Sequence, residues 1–195
     1  IAAITAGILI ALAIGSVVER NRERALVRQA RTAIGQEVAE NRGAMERSID
    51  DLGHQRRRLS DALRFADQML KTERSDVTEL SLSMSFPTLN QAAFNTADRT
   101  GAFAYMDYGE VRDLNDLYEV QDLVTTSQRH LLERLAGLLA IVNESGDPTT
   151  APRQDLEVFR GRLLDTLGAH YIHENLAKAL LAQYRKKTGE AKPGG

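Results

Sequence analysis

Two histidines and a glutamate near the C-terminus come closest, by residue type and spacing, to a metal site. His170, His173 and Glu174 stand at i, i+3 and i+4, so on a helix they share one face and could offer three ligands. A zincin motif instead has its histidines four apart, and a di-iron bundle needs two Glu-x-x-His pairs plus two further glutamates. Neither pattern is present, and Asp51 with His54 is the nearest imitation. We therefore predict no metal site and expect both histidines on a helix surface.

Other catalytic signatures are missing from the sequence. It contains no phosphate-binding Gly-x-x-x-x-Gly-Lys-Ser/Thr loop, no dinucleotide-binding Gly-x-Gly-x-x-Gly and no Gly-x-Ser-x-Gly nucleophile elbow. The absence of cysteine excludes a thiol nucleophile and thiolate metal ligands. We predict no catalytic residue, no cofactor and a protein that is not an enzyme.

Basic residues cluster at Arg56–Arg58, which could contact phosphate. Asp50, Asp51 and Asp61 lie close by in the sequence and partly neutralise the cluster, which favours a solvated helix face. The formal net charge of the chain is −2, so it has no global attraction to nucleic acid. We expect no nucleic-acid partner.

Aromatic residues are concentrated in the middle of the chain. Six of its ten phenylalanines and tyrosines fall in one short stretch: Phe86, Phe94, Phe103, Tyr105, Tyr108 and Tyr118. Core packing where helices meet is one interpretation, and a binding surface is the other. The run TGAFAYMDYGE lies between a helix break at Gly101 and a helix cap at Asp107, so it predicts a loop. Phe103, Tyr105 and Tyr108 are the candidate residues for binding a partner or ligand.

The N-terminal stretch IAAITAGILIALAIGSVV, residues 1–18, has no charged residue. At about 1.5 Å per residue it extends roughly 27 Å, close to the hydrocarbon thickness of a bilayer. A cleaved signal peptide and a buried soluble helix are the alternatives, but the stretch runs into ERNRERALVRQAR without a clear cleavage site. We predict a transmembrane helix at 1–18.

Arginines follow the predicted span directly. Arg20, Arg22 and Arg24 begin this membrane-flanking series, which continues with Arg28 and Arg31. Basic residues favour the cytoplasmic side, although orientation depends on both flanks and only one is visible. We expect the bulk of the chain in the cytoplasm.

Apolar residues recur at helical spacing beyond the span. One series, seven residues apart, is Val38, Met45, Leu52, Leu59 and Ala66. Its companion positions include Asn41, Ser48 and Gln55, a seam too polar for a strict coiled coil, so we predict a bundle helix with a bend or break near Gly53.

The helical period is interrupted once. From Leu80 to Phe86 apolar residues alternate with serines, which indicates an extended strap over the bundle. A short helix is expected to begin at Pro87 and run to about Ala97.

Two more long helices complete the predicted fold. One should run from about Tyr108 to Asn143. A turn is expected at Gly146–Pro152, and the last helix follows it. The buried face of that helix is expected at Leu156, Phe159, Leu163, Leu167, Tyr171, Leu176, Leu180 and Tyr184. The prediction is an all-α protein: a transmembrane helix at 1–18, a helical bundle at 19–185 and a disordered tail at 186–195.

Several phrases of the sequence resemble a known group of proteins. They are ERNRERALVRQAR, EVAENR, FNTADRTGAFAYMDYGEV and LNDLYEVQDLV, within roughly residues 8 to 142. The chain is similar to uncharacterised bacterial membrane proteins with one N-terminal span and a helical domain of unknown function. The resemblance implies this topology and a bacterial inner membrane, and no functional residue follows from it.

The function that these patterns favour is a membrane-anchored helical interaction or scaffold protein. Its expected partners are the lipid bilayer and another protein, or itself as a homo-oligomer. The alternative is a sensory domain that binds a small ligand near the aromatic residues and is coupled to its membrane helix.

Overall fold

The chain folds into helices joined by loops, as its composition predicts. The computed structural model describes residues 2–77, 80–145 and 150–189, without the side chains of residues 2–13 and 142–145. The helices are α1 (Ala2–Thr72), α2 (Ala92–Arg99), α3 (Tyr108–Ser145) and α4 (Arg153–Lys187), with a 3-10 turn at Ala102–Tyr105. No strand occurs in these ranges. The prediction of an all-α bundle with three long helices and a short one is confirmed.

The helix α1 is unbroken over 71 residues, so no break occurs at Gly53. From Val27 to Met69 its buried positions recur three or four residues apart, which is the spacing of a coiled-coil seam. Asn41, Ser48 and Gln55 occupy that seam and are buried. The heptad seam is therefore present, although its polar residues were expected to prevent a strict coiled coil.

The helix α4 runs antiparallel to α1 and packs against both α1 and α3. Arg185 pairs with Glu46 at 3.1 Å, and Arg160, earlier in α4, pairs with Asp67 at 2.5 Å, later in α1. A series of buried positions in α4 alternates three and four residues apart from Leu156 to Tyr184, and Glu174 and Leu181 are buried beside it. This alternation gives α4 a continuous seam against its two neighbours.

The helix α3 runs parallel to α1. Arg31 bonds to Glu110 at the start of α3, and Asn41, ten residues further along α1, bonds to Gln121 at 3.2 Å. Parallel neighbours cannot be joined by a short turn, because the chain must return along α1 from Thr72 to the level of Arg31 before α3 begins. An extended segment, rather than a fourth long helix, makes that return.

This return segment, the strap, comprises residues 73–91, of which 78 and 79 lie outside the described ranges. Its backbone is tied to α1 at intervals. Gln55 donates to the carbonyl of Ser85 at 2.8 Å, and Arg58 donates to that of Ser83 at 2.9 Å. Leu82 is buried with the apolar side chains of the bundle. The predicted extended strap is thus confirmed.

The short helix α2 begins at Ala92, so the prediction that it begins at Pro87 is wrong. Its N-cap residue, Gln91, makes no capping hydrogen bond with its side chain. Glu37 of α1 instead accepts hydrogen bonds from the backbone N–H groups of Ala93, at 2.8 Å, and Phe94, at 3.4 Å. These are among the first N–H groups of the helix, which have no partner within it. A residue on another helix therefore determines where α2 starts.

The remaining helix ends differ slightly from the predicted ones. The helix α3 continues to Ser145, and residues 146–149 of the predicted turn lie outside the described ranges. The helix α4 continues to Lys187, two residues past the predicted end of the bundle. The predicted tail falls mostly on residues 190–195, which are also outside those ranges.

The predicted transmembrane helix at 1–18 falls largely on residues whose side chains are not described. Their backbone from Ala2 onward is helical and belongs to α1. In the part of the chain that the structure describes, no helix is both long and apolar enough to cross a membrane.

Candidate functional site: an arginine groove at the start of the bundle

Four arginines of α1 share one face where the helix enters the bundle. Arg20, Arg24, Arg28 and Arg31 stand at i, i+4, i+8 and i+11, which places them within about 80° around the helix axis. They border a groove of about 500 Å³, called here the arginine groove. It is lined by Arg20, Glu23, Arg24, Val27, Arg28, Arg31 and Tyr105.

The arginines of the groove differ in their partners. Arg31 is held by both carboxylate oxygens of Glu110, with the shortest contact at 2.6 Å. The hydrogen bond to Glu110 and the charge of that carboxylate raise the pKa of Arg31. Within the described residues, Arg20, Arg24 and Arg28 are exposed and form no ion pair. These three guanidinium groups are available to an external anion.

The 3-10 turn brings a tyrosine to the groove. Gly101 precedes the turn with φ of 74°, a left-handed conformation that glycine adopts at little cost. Within the turn, Phe103 packs inward on Phe94 with ring centroids 5.2 Å apart. Tyr105 points outward with 52% of its surface exposed. The same turn thus carries one packing ring and one accessible ring.

Asp107 caps the N-terminus of α3, two residues after the 3-10 turn ends. The Oδ1 atom of Asp107 accepts from the N–H groups of Gly109, at 2.8 Å, and Glu110, at 3.2 Å. A capping box would also need Glu110 to bond back to the N–H of Asp107, but the side chain of Glu110 turns away to Arg31. Glu110 thereby ties the first turn of α3 to the arginine groove.

The predicted site residues separate into two sets in the structure. Tyr105 lines the groove with Arg20 and Arg24, and Tyr108 lies in the same loop region with 81% of its surface exposed. Phe103 belongs to the packing around the bundle core, and Arg22 is not among the lining residues. Sequence reasoning missed the meeting of arginines and tyrosine. The spacing of the arginines was readable, but their approach to the 3-10 turn is a tertiary contact.

A buried polar cluster, called the paired layer, lies further along the bundle. It consists of Glu37, Asn41, Tyr118, Gln121 and Tyr184, all nearly inaccessible to solvent. Tyr118 donates to Glu37 at 2.5 Å, and Tyr184 donates to Gln121 at 2.5 Å. Burial raises the pKa of both tyrosines, and for Tyr118 the hydrogen bond to Glu37 adds to the effect.

The paired layer also holds the end of the strap. Asn41 donates to the carbonyl of Asn90 at 2.7 Å and accepts from its N–H at 2.9 Å. Gln121 donates to the same carbonyl at 2.9 Å. One backbone residue of the strap is therefore bonded to both α1 and α3.

The prediction that His170 and His173 lie on the surface is wrong, because both side chains are buried. The Nδ1 atom of His173 lies 2.7 Å from the hydroxyl of Ser127, and Phe86 of the strap contacts the ring edge-on with centroids 5.2 Å apart. Burial lowers the pKa of His173 to about 4 and also lowers that of His170. Burial thus favours the neutral form of both rings.

The third member of the predicted ligand set is engaged elsewhere. Glu174 accepts from Lys178 at 2.6 Å and lies 3.4 Å from Arg56. The hydrogen bond to Lys178 lowers the pKa of Glu174 despite partial burial. Over the described ranges, no group of three or more histidine, aspartate or glutamate side chains is arranged to hold a metal ion.

A second buried polar cluster, the unpaired layer, comprises Ser48, Gln55, Gln128 and His170. Each has at least one buried polar atom without a hydrogen-bond partner in the described structure, and both ring nitrogens of His170 are in this state. On α1 the layer overlaps the end of one apolar cluster, which reaches Leu52, and Gln55 lies between that cluster and a second one that begins at Leu59. Such unpaired groups are uncommon in protein interiors.

Comparison of the chain with protein-family models, with curated proteins and with solved structures gave no match in any of the three.

Proposed function

We propose that this protein is a membrane-anchored helical interaction or scaffold protein of a bacterial inner membrane, with its bundle in the cytoplasm. The observation that supports this most directly is the continuity of α1, which is one helix from Ala2 to Thr72. The uncharged residues 1–18 would extend about 27 Å, enough for a bilayer core. An anchor there would be joined to the bundle without a flexible linker.

The exposed tyrosines support a protein partner on this part of the molecule. Tyr105 ends the 3-10 turn and Tyr108 begins α3, and this segment is held by the cap at Asp107 and by the packing of Phe103. Tyrosine offers apolar area and a hydroxyl while losing little conformational entropy on binding. The partner that we propose is another protein or a second copy of this chain.

Carbonate extraction of native membranes tests the anchor. The full chain should remain in the membrane fraction, because burial of about 18 apolar residues exceeds any peripheral attachment. A reporter that works only in the cytoplasm, fused after Gly195, should be active. Release by carbonate would contradict the anchor, and activity of a periplasm-dependent reporter would reverse the orientation.

The double variant Y105A/Y108A tests the partner surface. We expect loss of crosslinked partners in native membranes, with stability changed by no more than about 0.5 kcal/mol, because both side chains are exposed. The matched control is Y171A/I172A on α4, which also removes two exposed apolar side chains, 62% and 60% accessible. Equal partner recovery for all three proteins would remove this surface from the proposal.

A sensory domain is the second candidate, and one observation favours it. The arginine groove, about 500 Å³, falls within the usual range of small-ligand pockets, roughly 300–1,000 Å³. It lies on the same helix as the proposed anchor. A sensor would be stabilised by a small soluble ligand in neutral detergent, whereas a scaffold would not.

A further inference from the structure

We propose that the arginine groove binds the headgroup of an anionic phospholipid, with Arg20, Arg24 and Arg28 contacting its phosphate. This inference rests on the membrane anchoring proposed above and adds a ligand class to it. Three features of the groove support this assignment: its distance from the apolar stretch, its charge, and the tyrosine at its edge.

The groove lies at the right distance from the apolar stretch. Arg20, Arg24 and Arg28 follow Val18 by two, six and ten residues, or about 3, 9 and 15 Å along the helix. The headgroup region of a bilayer is roughly 5–7 Å deep on each side. Arginine side chains are long and extend toward the interface while their stems stay on the helix. Arg20 lies at the depth of the headgroup region, and the long side chains of Arg24 and Arg28 extend back toward it, because side chains on a helix tilt toward its N-terminus.

The charge of the groove is local. Four arginines face one glutamate, Glu23, in the lining, although the whole chain has a formal net charge of −2. Arg31 is already held by Glu110, which leaves three guanidinium groups for a ligand. Guanidinium matches phosphate geometry through paired N–H donors. An anionic phosphate is thus the ligand class that fits best.

Tyr105 closes one edge of the groove from the 3-10 turn. Tyrosine is enriched at membrane interfaces because its ring is apolar and its hydroxyl is polar. At this position the ring can lie against the headgroup region and the hydroxyl can donate to phosphate. The arginines of α1 and Tyr105 of the 3-10 turn can therefore contact the same headgroup.

Thermal unfolding of the full chain in neutral-detergent micelles tests the site. The micelles are doped with phosphatidylglycerol or, for comparison, with zwitterionic phosphatidylcholine. We expect phosphatidylglycerol alone to raise the Tm by about 5 °C, an effect that added salt weakens. The variant R20Q/R24Q/R28Q should lose most of this rise. An undiminished rise in that variant would overturn the proposal.

The control variant is R74Q/R129Q/R134Q, which removes the same number of positive charges. These three arginines are exposed, form no ion pair within the described residues, and do not line the groove. The control should keep the full rise in Tm. If it loses as much as the groove variant, the effect comes from overall charge and the groove is not a site.

Inorganic phosphate in undoped micelles separates the two sources of the ligand. The lipid should act at a far lower concentration than free phosphate. A groove-dependent rise of equal size with free phosphate would make the soluble anion the ligand and the lipid assignment wrong. That result would favour the sensory candidate.

Failure of the anchor can be told apart from failure of the groove. If carbonate releases the chain, binding to anionic vesicles is measured by flotation instead. Each arginine near an anionic surface adds about fivefold to binding, so R20Q/R24Q/R28Q should bind on the order of 100-fold more weakly. Vesicle binding that is equal in wild type and this variant would refute the groove even without an anchor.

Discussion

The paired and unpaired layers occupy neighbouring levels of the same bundle, yet they satisfy their polar groups very differently. In the paired layer, Glu37 and Gln121 bond to tyrosine hydroxyls and to backbone groups of the strap and α2. In the unpaired layer, His170 and Gln128 have buried nitrogen atoms without partners. Replacing a bonded group leaves its partners unsatisfied, whereas replacing an unbonded one does not. The first layer should therefore resist change and the second tolerate it.

The largest effect is expected from Glu37→Ala in the paired layer. The change leaves the hydroxyl of Tyr118 and the N–H groups of Ala93 and Phe94 without their acceptor. We expect a loss of about 3–5 kcal/mol in the free energy of unfolding, measured by chemical denaturation. The control Glu40→Ala removes an exposed glutamate of the same helix and should cost less than about 0.5 kcal/mol. Similar losses in both variants would show that the stability of the paired layer does not depend on the hydrogen bonds of Glu37.

The next largest effect is a dependence of stability on pH near the unpaired layer. The folded pKa of His173 is about 4 and that of His170 is also lowered, against 6.5 for the unfolded chain. Stability from the neutral rings is fully present above pH 6.5 and is lost progressively as the pH falls from 6.5 to about 4. The loss for His173 should reach about 3 kcal/mol.

Urea denaturation at several pH values measures this loss. Glu174, whose pKa is also lowered, adds to it at the acidic end. The variant H170N/H173N should show a clearly flatter stability profile between pH 6.5 and 4 than the wild type. Parallel profiles for the two proteins would show that the histidines are not protonated on unfolding.

The smallest effects come from a matched pair of glutamines seven residues apart on α3. Gln121→Leu removes the acceptor of Tyr184 and a donor to Asn90 and should cost about 2 kcal/mol. Gln128→Leu removes a nitrogen without a partner. The free energy of unfolding should fall by less than about 1 kcal/mol, or it should rise. A larger loss at Gln128 than at Gln121 would reverse the assignment of the layers.

The fold was largely readable from the sequence because apolar spacing locates helices. The buried face of α4 was readable in part: Leu156, Phe159, Leu163, Leu180 and Tyr184 are buried as predicted, but the prediction followed apolar identity alone. Tyr171 was expected inside and is exposed, while His170 and His173 occupy the seam. Counting three and four residues alternately from Leu156 reaches both histidines. A strict heptad count, with polar residues allowed, would have found the buried face.

The start of α2 and the arginine groove depend on tertiary contacts. Glu37 lies more than fifty residues before the helix that it caps, and no local pattern indicates such a cap. In the sequence, Asn41 and Gln55 are polar residues in an otherwise apolar heptad series. The structure explains them by the hydrogen bonds that they make with the backbone of the strap. Tyr105 reaches the groove only through the bend at Gly101. These features depend on contacts between residues that are far apart in the sequence.

The strap has a consequence for the order of folding. Its bonds to α1 join residues 25, 30 and 49 positions apart, whereas the bonds between α1 and α3 join residues 79 and 80 positions apart and close longer loops. Helices α1 and α4 can form by local interactions, but the carbonyl of Asn90 has donors from both α1 and α3 only when these helices lie side by side. Refolding should therefore recover helical signal first, and protection of the Asn90 amide, which bonds to Asn41, should follow in hydrogen exchange.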